Sequence, residues 1–533
     1  MTATGSAEYI LAIDLGTGGP KVALISTDGE IAGHEFEATT LLLTPDGGAE
    51  QNPDDWWRAL TTAARRLLAR GLVPADRIAG LSCTAQWMGT VPVDRDGNHL
   101  MNAIIWMDTR GGRYARRIAS GFPTVSGYGA LKLWRWLRLT GGVPSRTGKD
   151  SLGHILYLQN ELPDVYDQTY KFLEPMDYLN LRFTGKAAAS YDTITGHWLT
   201  DNRDLSRVHY VDGLVAMSGV DREKLPDLKP TGAVLGPITK EFAAEFGLRE
   251  DVQVVMGTPD TASAAVGSGA VRDFEPHLYI GTSSWLTCHV PYKRVDIANS
   301  LTSLPAAVPG KYLVATEQDI AGGCITMLRD KLFWPEDELS DGNAPDDVLD
   351  AFNRMAERIP PGSDKLIFTP WLNGERTPVE NHLVRGGFFN HSLTTTRAHL
   401  IRAVFEGVAY NTRWMHEHVE RFVKRRLDNI NFVGGGAKSS LWCQVHADIL
   451  DRTIRQVEQP GLANARGAGL IASVALGRLS FDDIPERTRF AATYEPNPEN
   501  RAVYDELFGE FVNIYKNNKQ MYARLNSTRG KKR

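Results

Sequence analysis

The stretch Ala12–Lys21, AIDLGTGGPK, decides how the rest of the chain is read. A strand-like apolar run ends in Asp14, turns through glycines and Thr17, and returns through Pro20 and Lys21. Glycines beside a hydroxyl and a cation suit a phosphate cradle, and the same residues also suit a plain hairpin. Proline has no N–H to offer, so phosphate donors in this turn would be the amides and hydroxyl of Gly16 through Gly19, with Thr17 and Gly18 at its tip. Pro20 is expected to open the returning strand and to press Gly19 toward extended geometry. Lys21 then leaves the turn where its ammonium can reach the same phosphates. Asp14, at the end of the first strand, suits a hydrated Mg²⁺, which is held by one or two carboxylates plus phosphates.

Outward from this turn, Tyr9–Asp14 and Lys21–Ser26 read as paired strands, and Glu30–Thr39 as a third beyond the turn pair Asp28-Gly29. Three strands joined by tight turns make an antiparallel start to a sheet. NPDDWWRALTTAARRLLARG (52–71) then has helical period, acids in its first turn and Gly71 after its end. RIAGLSCTAQ (77–86) is a further strand. A meander followed by alternating helices and strands argues an α/β sandwich.

The pattern returns later. HLYIGTSSWLTCHV (277–290) is again strand, Gly-Thr-Ser turn, strand; NINFVGGGAKSSLWCQVHADIL (429–450) is strand, three glycines, helix; LANARGAGLIASVALG (462–477) is a small-residue helix ending at Gly477. Two halves thus each begin with a strand pair around a Gly-Thr turn, at Gly16-Thr17 and Gly281-Thr282. The boundary is expected in or just after ASAAVGSGAVRDFEP (262–276). That gives domains over 8–268 and 269–505, then a C-terminal helix and basic tail over 506–533. Two facing hairpins can present N–H groups and hydroxyls to one polyphosphate from opposite sides.

Composition narrows the function classes. The 533 residues exceed one compact core. Lys+Arg 59 against Asp+Glu 64 gives a net charge of −5, which carries no nucleic-acid signature. Cys83, Cys288, Cys324 and Cys443 are scattered without metal-ligand spacing and read as reduced, buried thiols. No apolar run approaches the roughly 20 residues of a membrane helix, and MTATGSAEYI lacks the features of a signal peptide. The cytoplasm is the expected compartment, with no membrane partner, and STRGKKR (527–533) reads as a solvated tail.

Five segments carry candidate chemistry. In VVMGTPDTASAAVGSG (254–269), Thr258 suits an N-cap, Pro259 the first helical position and Asp260 the positive end of the helix dipole. Read functionally, Asp260 is a base at the mouth of a cleft, kept ionised by that dipole. FVGGGAKSS (432–440) is a tight strand-to-helix connection capped by Ser439 or Ser440, or a backbone lying flat against a purine. QWMGT (86–90) and WMDTRGGR (106–113) set aromatics beside an acid and a guanidinium, which suits a polyol; a core tryptophan with a solvated Asp–Arg pair has the same composition. LNGERTP (372–378) is a polar cleft loop or a turn.

Taken together, these pieces resemble the FGGY carbohydrate kinase family, in its xylulokinase-like branch, over about Tyr9 to Tyr504. IDLGTGGPKVALIS is similar to its first phosphate hairpin, WWRAL after NPDD to its first helix, IIWMDTR to its W-x-D-x-R segment, and LEPMDYLNLRFTG to its P-x-D-Y-L segment. GTPDTASAAVGSG looks like the segment of its catalytic acid and LYIGTSS like its second phosphate hairpin. WLNGERTP, AVFEGVAYN and FVGGGAKSSLWCQVHAD complete the family's order.

The resemblance implies a two-domain α/β fold, actin-like and ribonuclease H-like, with ATP-Mg²⁺ held mainly by the C-terminal domain and the sugar by the N-terminal one. It implies that Asp260 accepts the sugar hydroxyl's proton and that Asp14 helps place Mg²⁺. Thr17, Gly18 and Lys21 would meet the phosphates from one side and Gly281 and Thr282 from the other, while Gly434, Gly435 and Ser439 border the adenosine. Gln86, Trp87, Met88, Trp106, Asp108 and Thr261 stand at its sugar positions. Departures bear on substrate. Gln-Met-His-Gly of xylulokinases is Gln86-Trp87-Met88-Gly89, a common Asn is Thr261, and Gly-Gly before the acid is Thr258-Pro259. A Lys-Leu-x-W helix has no clean counterpart; LGHILYLQNE (152–161) stands there, after the insertion-like ALKLWRWLRLTGGVPSRTGKDS (130–151).

The reading is an ATP-dependent kinase for a small sugar or polyol, with D-xylulose as the default substrate. Another ketopentose or a linear polyol such as erythritol, xylitol or glycerol is the alternative. The rival from another class is a catalytically silent sugar- and nucleotide-binding protein on the same scaffold. A homodimer is one assembly left open.

Overall fold

Tyr9–Gly16 (β1) and Gly19–Ser26 (β2) form a two-residue hairpin in which Gly16 faces Gly19 and Asp14 faces Lys21. The turn is this tight because Gly19 holds φ +134°, and a side chain there would meet the Glu37 carbonyl oxygen at 2.1 Å. Gly19 therefore opens the returning strand, one residue earlier than expected, and Pro20 is its second residue, facing Leu15. Ile31–Phe36 (β3) completes the antiparallel meander. Asn52 caps α1 (Pro53–Ala69) by accepting from the Asp54 amide at 2.9 Å. Trp56, Leu60, Ala63 and Leu67 of that helix enter the core with Leu11, Ile13 and Leu24. The computed structural model describes residues 7–339 and 343–527; the expected tail over 528–533 lies outside them.

Ile78–Ala85 (β4) runs parallel to β1. Residues 86–233 then form an added layer that includes α2 (Ala130–Leu139), α3 (Ser151–Glu161) and α4 (Pro175–Thr184). Part of it gathers on a core of its own around Trp136, Ile155, Phe172 and Leu214. The chain returns to the sheet through β5 (Val234–Pro237) and β6 (Gln253–Val255), then enters α5 (Asp260–Gly267). The second half supplies β7 (Pro276–Ile280), β8 (Ser284–Val290), β9 (Val295–Asp296), β10 (Leu301–Pro305) and β11 (Tyr312–Ala315). After the long α6 (Arg397–Val423) come β12 (Asn429–Val433), α7 (Ser440–Leu450), β13 (Thr453–Val457), α8 (Ala463–Ala475), β14 (Phe490–Tyr494) and α9 (Arg501–Asn526).

Strand order is β5-β6-β4-β1-β2-β3 in the first sheet and β9-β10-β11-β8-β7-β12-β13-β14 in the second. Read from the meander outward, β3-β2-β1-β4-β6-β5 and β11-β8-β7-β12-β13-β14 share every pairing direction: two antiparallel, two parallel, one antiparallel. The repeat expected from the two Gly-Thr turns is thus a duplicated sheet, the doubled ribonuclease H-like arrangement of the actin-like fold.

The halves meet through α5 and α8, the helices that follow β6 and β13. Their composition explains the contact. A side chain on Gly267 would meet the Ala463 carbonyl oxygen at 1.8 Å, and one on Gly467 the Ser263 carbonyl oxygen at 1.9 Å. Only glycine permits so close a crossing. Ala465 and Ala468 of α8 pack on Ala12, Ala23 and Ile25, and Ala472 packs on Ile10 and Val255. A helix from the second half therefore lies on the first sheet, which places the carboxyl ends of β1, β4 and β6 beside the second half. All four cysteines are free and buried.

Candidate active site

The three parallel strands β1, β4 and β6 end on one edge, the usual place for a ligand crevice in such sheets. Each strand leads into a candidate segment: the Gly16–Gly19 turn, Gln86–Gly89, and Thr258–Asp260. They are tied together. The Gln86 amide donates to the Leu15 carbonyl at 2.9 Å, Ala85 bridges Pro259, and the Thr84 hydroxyl donates to the Thr258 carbonyl at 2.8 Å.

Asp14 is 1% exposed, and Lys21 donates to it at 3.0 Å from directly across the ladder. Its other oxygen stands 3.5 Å from the Asn464 amide of α8. The Asp14 charge is the largest influence on Lys21 and raises its pKa against the opposing effect of burial; Tyr279 of β7 and Asp260 add to it. Lys21 is thus within electrostatic reach of both Asp260 and the second hairpin. Tyr279 stacks on Trp285 at 4.0 Å, and its phenol is pushed up to about 12, chiefly by burial.

Asp260 is the first residue of α5 and accepts from the Thr261 amide at 2.8 Å. Two expectations are corrected here. Thr258 does not cap the helix: Pro259 occupies the N-cap position, and the Thr258 hydroxyl turns away to Asp192. The helix dipole also does not hold the carboxyl low. Although Asp260 is only partly buried by surface area, burial first and the Asp14 charge second push its pKa up to about 7, with Glu317 adding to the rise. These outweigh the Thr261 hydrogen bond and the Lys21 charge, both of which favour the ionised form. Two neighbouring carboxylates answered by a single ammonium suit a divalent cation held by carboxylates and phosphates.

The first hairpin's tip is held from inside. The Thr17 hydroxyl donates to Gln86 at 3.0 Å and accepts the Trp106 indole N–H at 3.1 Å. The Thr17 carbonyl is taken by Gln51 at 2.8 Å and the Gly18 carbonyl by the Thr39 amide at 3.1 Å. The N–H groups of Thr17 and Gly18 have no protein acceptor among the described residues. Gln86 is buried, with its amide group donating to Gln51 at 2.7 Å. Asp108, also buried, accepts from the Ala49 and Arg110 amides and from the Arg110 guanidinium. Both support their neighbours and leave partly exposed Trp87, Met88 and Trp106 as the accessible part of this wall. The Trp87 indole donates to the Thr193 carbonyl at 2.9 Å. Met88 sits at φ +67°, a strained position for this residue. Buried Glu174, pushed up to about 8 mainly by burial, holds the turn by accepting from the Gly89 amide at 2.9 Å.

On the other side, Gly281 and Thr282 form the turn between β7 and β8. Their carbonyls are taken by the amides of Gly322, Ala321 and Gly323, and a side chain on Gly322 would strike the Gly281 carbonyl at 2.3 Å. Gly434 holds φ +89° with its would-be Cβ 2.5 Å from the Ile280 carbonyl, whereas Gly435 faces open space. The glycine turns thus leave a backbone surface without side chains. Ser439 caps α7, accepting from the Trp442 amide at 3.0 Å, and its hydroxyl donates to Asn353. That is the structural role its sequence position allowed.

Gln51, Asn464, Glu317 and the pair Gly322-Gly323 were not singled out from the sequence. Only the glycine pair in IAGGCI carries a local signal; the rest reach the site through topology.

The model of the FGGY family of carbohydrate kinases, N-terminal domain, matches residues 9–267, and the C-terminal domain model matches residues 278–476. The xylulose kinase of Bacillus subtilis (strain 168) is 27% identical over 526 residues, which covers 98% of this chain and 99% of that protein. A gluconokinase of Bacillus licheniformis is 25% identical over 526 residues, with 97% of each covered. A gluconate kinase structure from Lactobacillus acidophilus superposes with a TM-score of 0.84 at 24% identity, over 98% of this chain and 100% of that one. The ligand-bound xylulose kinase of the same organism gives 0.83 at 24%, over 97% and 100%. With both halves matched along their length, the chain belongs to the FGGY family of carbohydrate kinases.

Proposed function

We propose that this sugar kinase transfers the γ-phosphoryl group of ATP to a hydroxyl of D-xylulose, with Asp260 as the general base. The observation that carries the reading is the placement of Asp260 beside Asp14 and Lys21, at the carboxyl edge of the first sheet and within electrostatic reach of Tyr279 beside the second hairpin. A carboxyl with pKa about 7 is matched to accepting a hydroxyl proton near neutral pH. The division of labour follows the two sheets, with a first domain over 8–268 binding sugar and a second over 269–505 binding nucleotide.

The sugar lies against Trp87, Met88 and Trp106, with Thr261 beside the base and Gln86 and Asp108 supporting the wall from behind. Apolar ring and thioether surface covers C–H faces, and the polar groups orient hydroxyls. Asp260 takes the proton as the hydroxyl oxygen closes on the γ-phosphorus in line, and the bond from that phosphorus to the bridging oxygen breaks on the opposite side, with ADP leaving on that oxygen. Lys21 and the N–H groups at Thr17 and Gly18 hold phosphoryl oxygens from one side, and Gly281 and Thr282 from the other. Gly434 and Gly435 let the nucleotide approach backbone, with Ser439 bordering it. Mg²⁺ held at Asp14 would neutralise phosphate charge; the residues supply positioning and charge complementarity.

The test is an ADP-release assay with D-xylulose, other ketopentoses, erythritol, xylitol, glycerol and gluconate. The highest kcat/KM with D-xylulose supports the reading. A higher value for another compound replaces the substrate, and ATP binding without turnover on any of them points to a silent binding protein.

A further inference from the structure

The turn Ser190–His197, buried between α4 and the β6–α5 connection, has no role in the phosphoryl transfer proposed for this site, yet it touches both sides of it. Asp192 is 3% exposed. Its carboxylate accepts from the hydroxyls of Ser190 and Thr258, from the Thr231 hydroxyl at 2.8 Å and from the Thr193 amide at 3.0 Å. Thr258 lies two residues before Asp260. The next residue of the turn, Thr193, accepts the Trp87 indole N–H on its carbonyl at 2.9 Å and donates its hydroxyl to Asp177 at 3.2 Å. A side chain on Gly196 would lie 3.2 Å from the Met88 side chain. One short turn therefore holds Thr258 on one side and the Trp87-Met88 segment on the other.

We propose that Asp192 is a positioning residue that, through the Thr258 hydroxyl and through Thr193, gives the Asp260 turn and the Trp87 indole a single shared support. The proposal rests on Asp260 acting as the base. Its physical content is distance. A base must sit within hydrogen-bond reach of the hydroxyl it deprotonates, and a displacement of about 1 Å costs up to about 100-fold in rate. The Thr258-Pro259 pair precedes Asp260 with no side-chain cap of its own to hold the helix start. The bond to a buried carboxylate fixed by three other donors supplies what the missing cap does not. The anchor depends on the Thr258 hydroxyl.

The experiment compares Thr258→Val, Thr258→Ser and Asp260→Asn in the full-length enzyme. Thr258→Val keeps shape and removes the hydroxyl; the expected result is kcat lower by about 10- to 100-fold with KM for ATP within about two-fold. Thr258→Ser, which restores the hydroxyl, returns kcat to within about three-fold of wild type. A purely structural role moves the melting temperature and folded fraction instead. The proposal is overturned if Thr258→Val keeps kcat within two-fold, if Thr258→Ser loses as much as Thr258→Val, or if the loss tracks the folded fraction by circular dichroism. Trp87→Phe combined with Thr258→Val should depart from multiplicative effects on kcat/KM by at least about three-fold, and strict multiplicativity removes the shared support. Full activity in Asp260→Asn defeats the underlying reading of the base, whereas an inactive Asp260→Asn beside a fully active Thr258→Val defeats this proposal alone.

Discussion

Replacing Asp260 with asparagine separates a reactive carboxylate from a helix-start carboxylate, because the two roles change stability with opposite sign. In the native chain the carboxyl titrates near pH 7, against 3.8 for an ordinary aspartate, because it is buried beside Asp14. The folded state therefore holds this proton more tightly than the unfolded one. The penalty for ionising it is absent below about pH 4, grows as pH rises, and is complete above about pH 7. The full displacement corresponds to about 4 kcal/mol. The side chain keeps some contact with solvent, and screening reduces that to about 1–2 kcal/mol. Asparagine keeps the shape without the charge. Asp260→Asn should thus be more stable than wild type by about 1–2 kcal/mol at pH 8, with most of the gap gone at pH 5. A carboxylate serving only the helix dipole would instead stabilise the fold by about 0.3–1 kcal/mol, and its loss would destabilise. Urea unfolding at both pH values, without nucleotide or metal, reads the difference. In parallel, phosphoryl transfer should fall by about 10²- to 10⁴-fold. A variant less stable than wild type at pH 8, or one that transfers phosphate within ten-fold of wild type, refutes the reasoning.

Other consequences arise from the same geometry. For the free enzyme, log kcat/KM should rise toward unit slope below about pH 7 and level off above it as Asp260 ionises, and a flat profile between pH 5 and 8 contradicts the assignment. Lys21→Met leaves Asp14 without its 3.0 Å partner. It should raise KM for ATP and destabilise the fold by less than the about 3–5 kcal/mol of fully buried pairs, since Lys21 is 31% exposed. Gly434→Ala forces a Cβ to 2.5 Å from the Ile280 carbonyl at φ +89°. Nucleotide affinity measured by calorimetry should fall about ten-fold with sugar affinity unchanged, and an equal loss of both would show a general folding defect.

Much of the fold was legible because its signals are local. Gly-Thr turns between apolar runs, at 16–17 and 281–282, mark hairpins wherever they occur, and their recurrence announced the duplicated sheet. The residues of 462–477 marked a small-residue helix, though not that it would cross onto the first sheet through Gly467 and Gly267. Ser439 is the cap its position suggested. The misreadings came from groups whose surroundings are set by distant residues. The helix dipole at Asp260 is a local effect, and it loses to burial and to Asp14, 246 residues earlier in the chain, brought close by the β1–β4–β6 edge. Gln86 and Asp108 have the right chemistry to bind hydroxyls, and the fold adds Gln51, Ala49 and Arg110 as partners that the sequence does not announce. Pro20 is one place deeper in its strand because the φ that only Gly19 can adopt makes the first residue of β2 a glycine.

The most direct test tracks the phosphate itself. Wild-type enzyme incubated with D-xylulose and ATP labelled at the γ-phosphate should place the label in a sugar phosphate, and Asp260→Asn should do so at a rate lower by about 10²- to 10⁴-fold. Label appearing only as inorganic phosphate, no transfer at all, or equal transfer by the variant would contradict the account of a sugar kinase that works through Asp260.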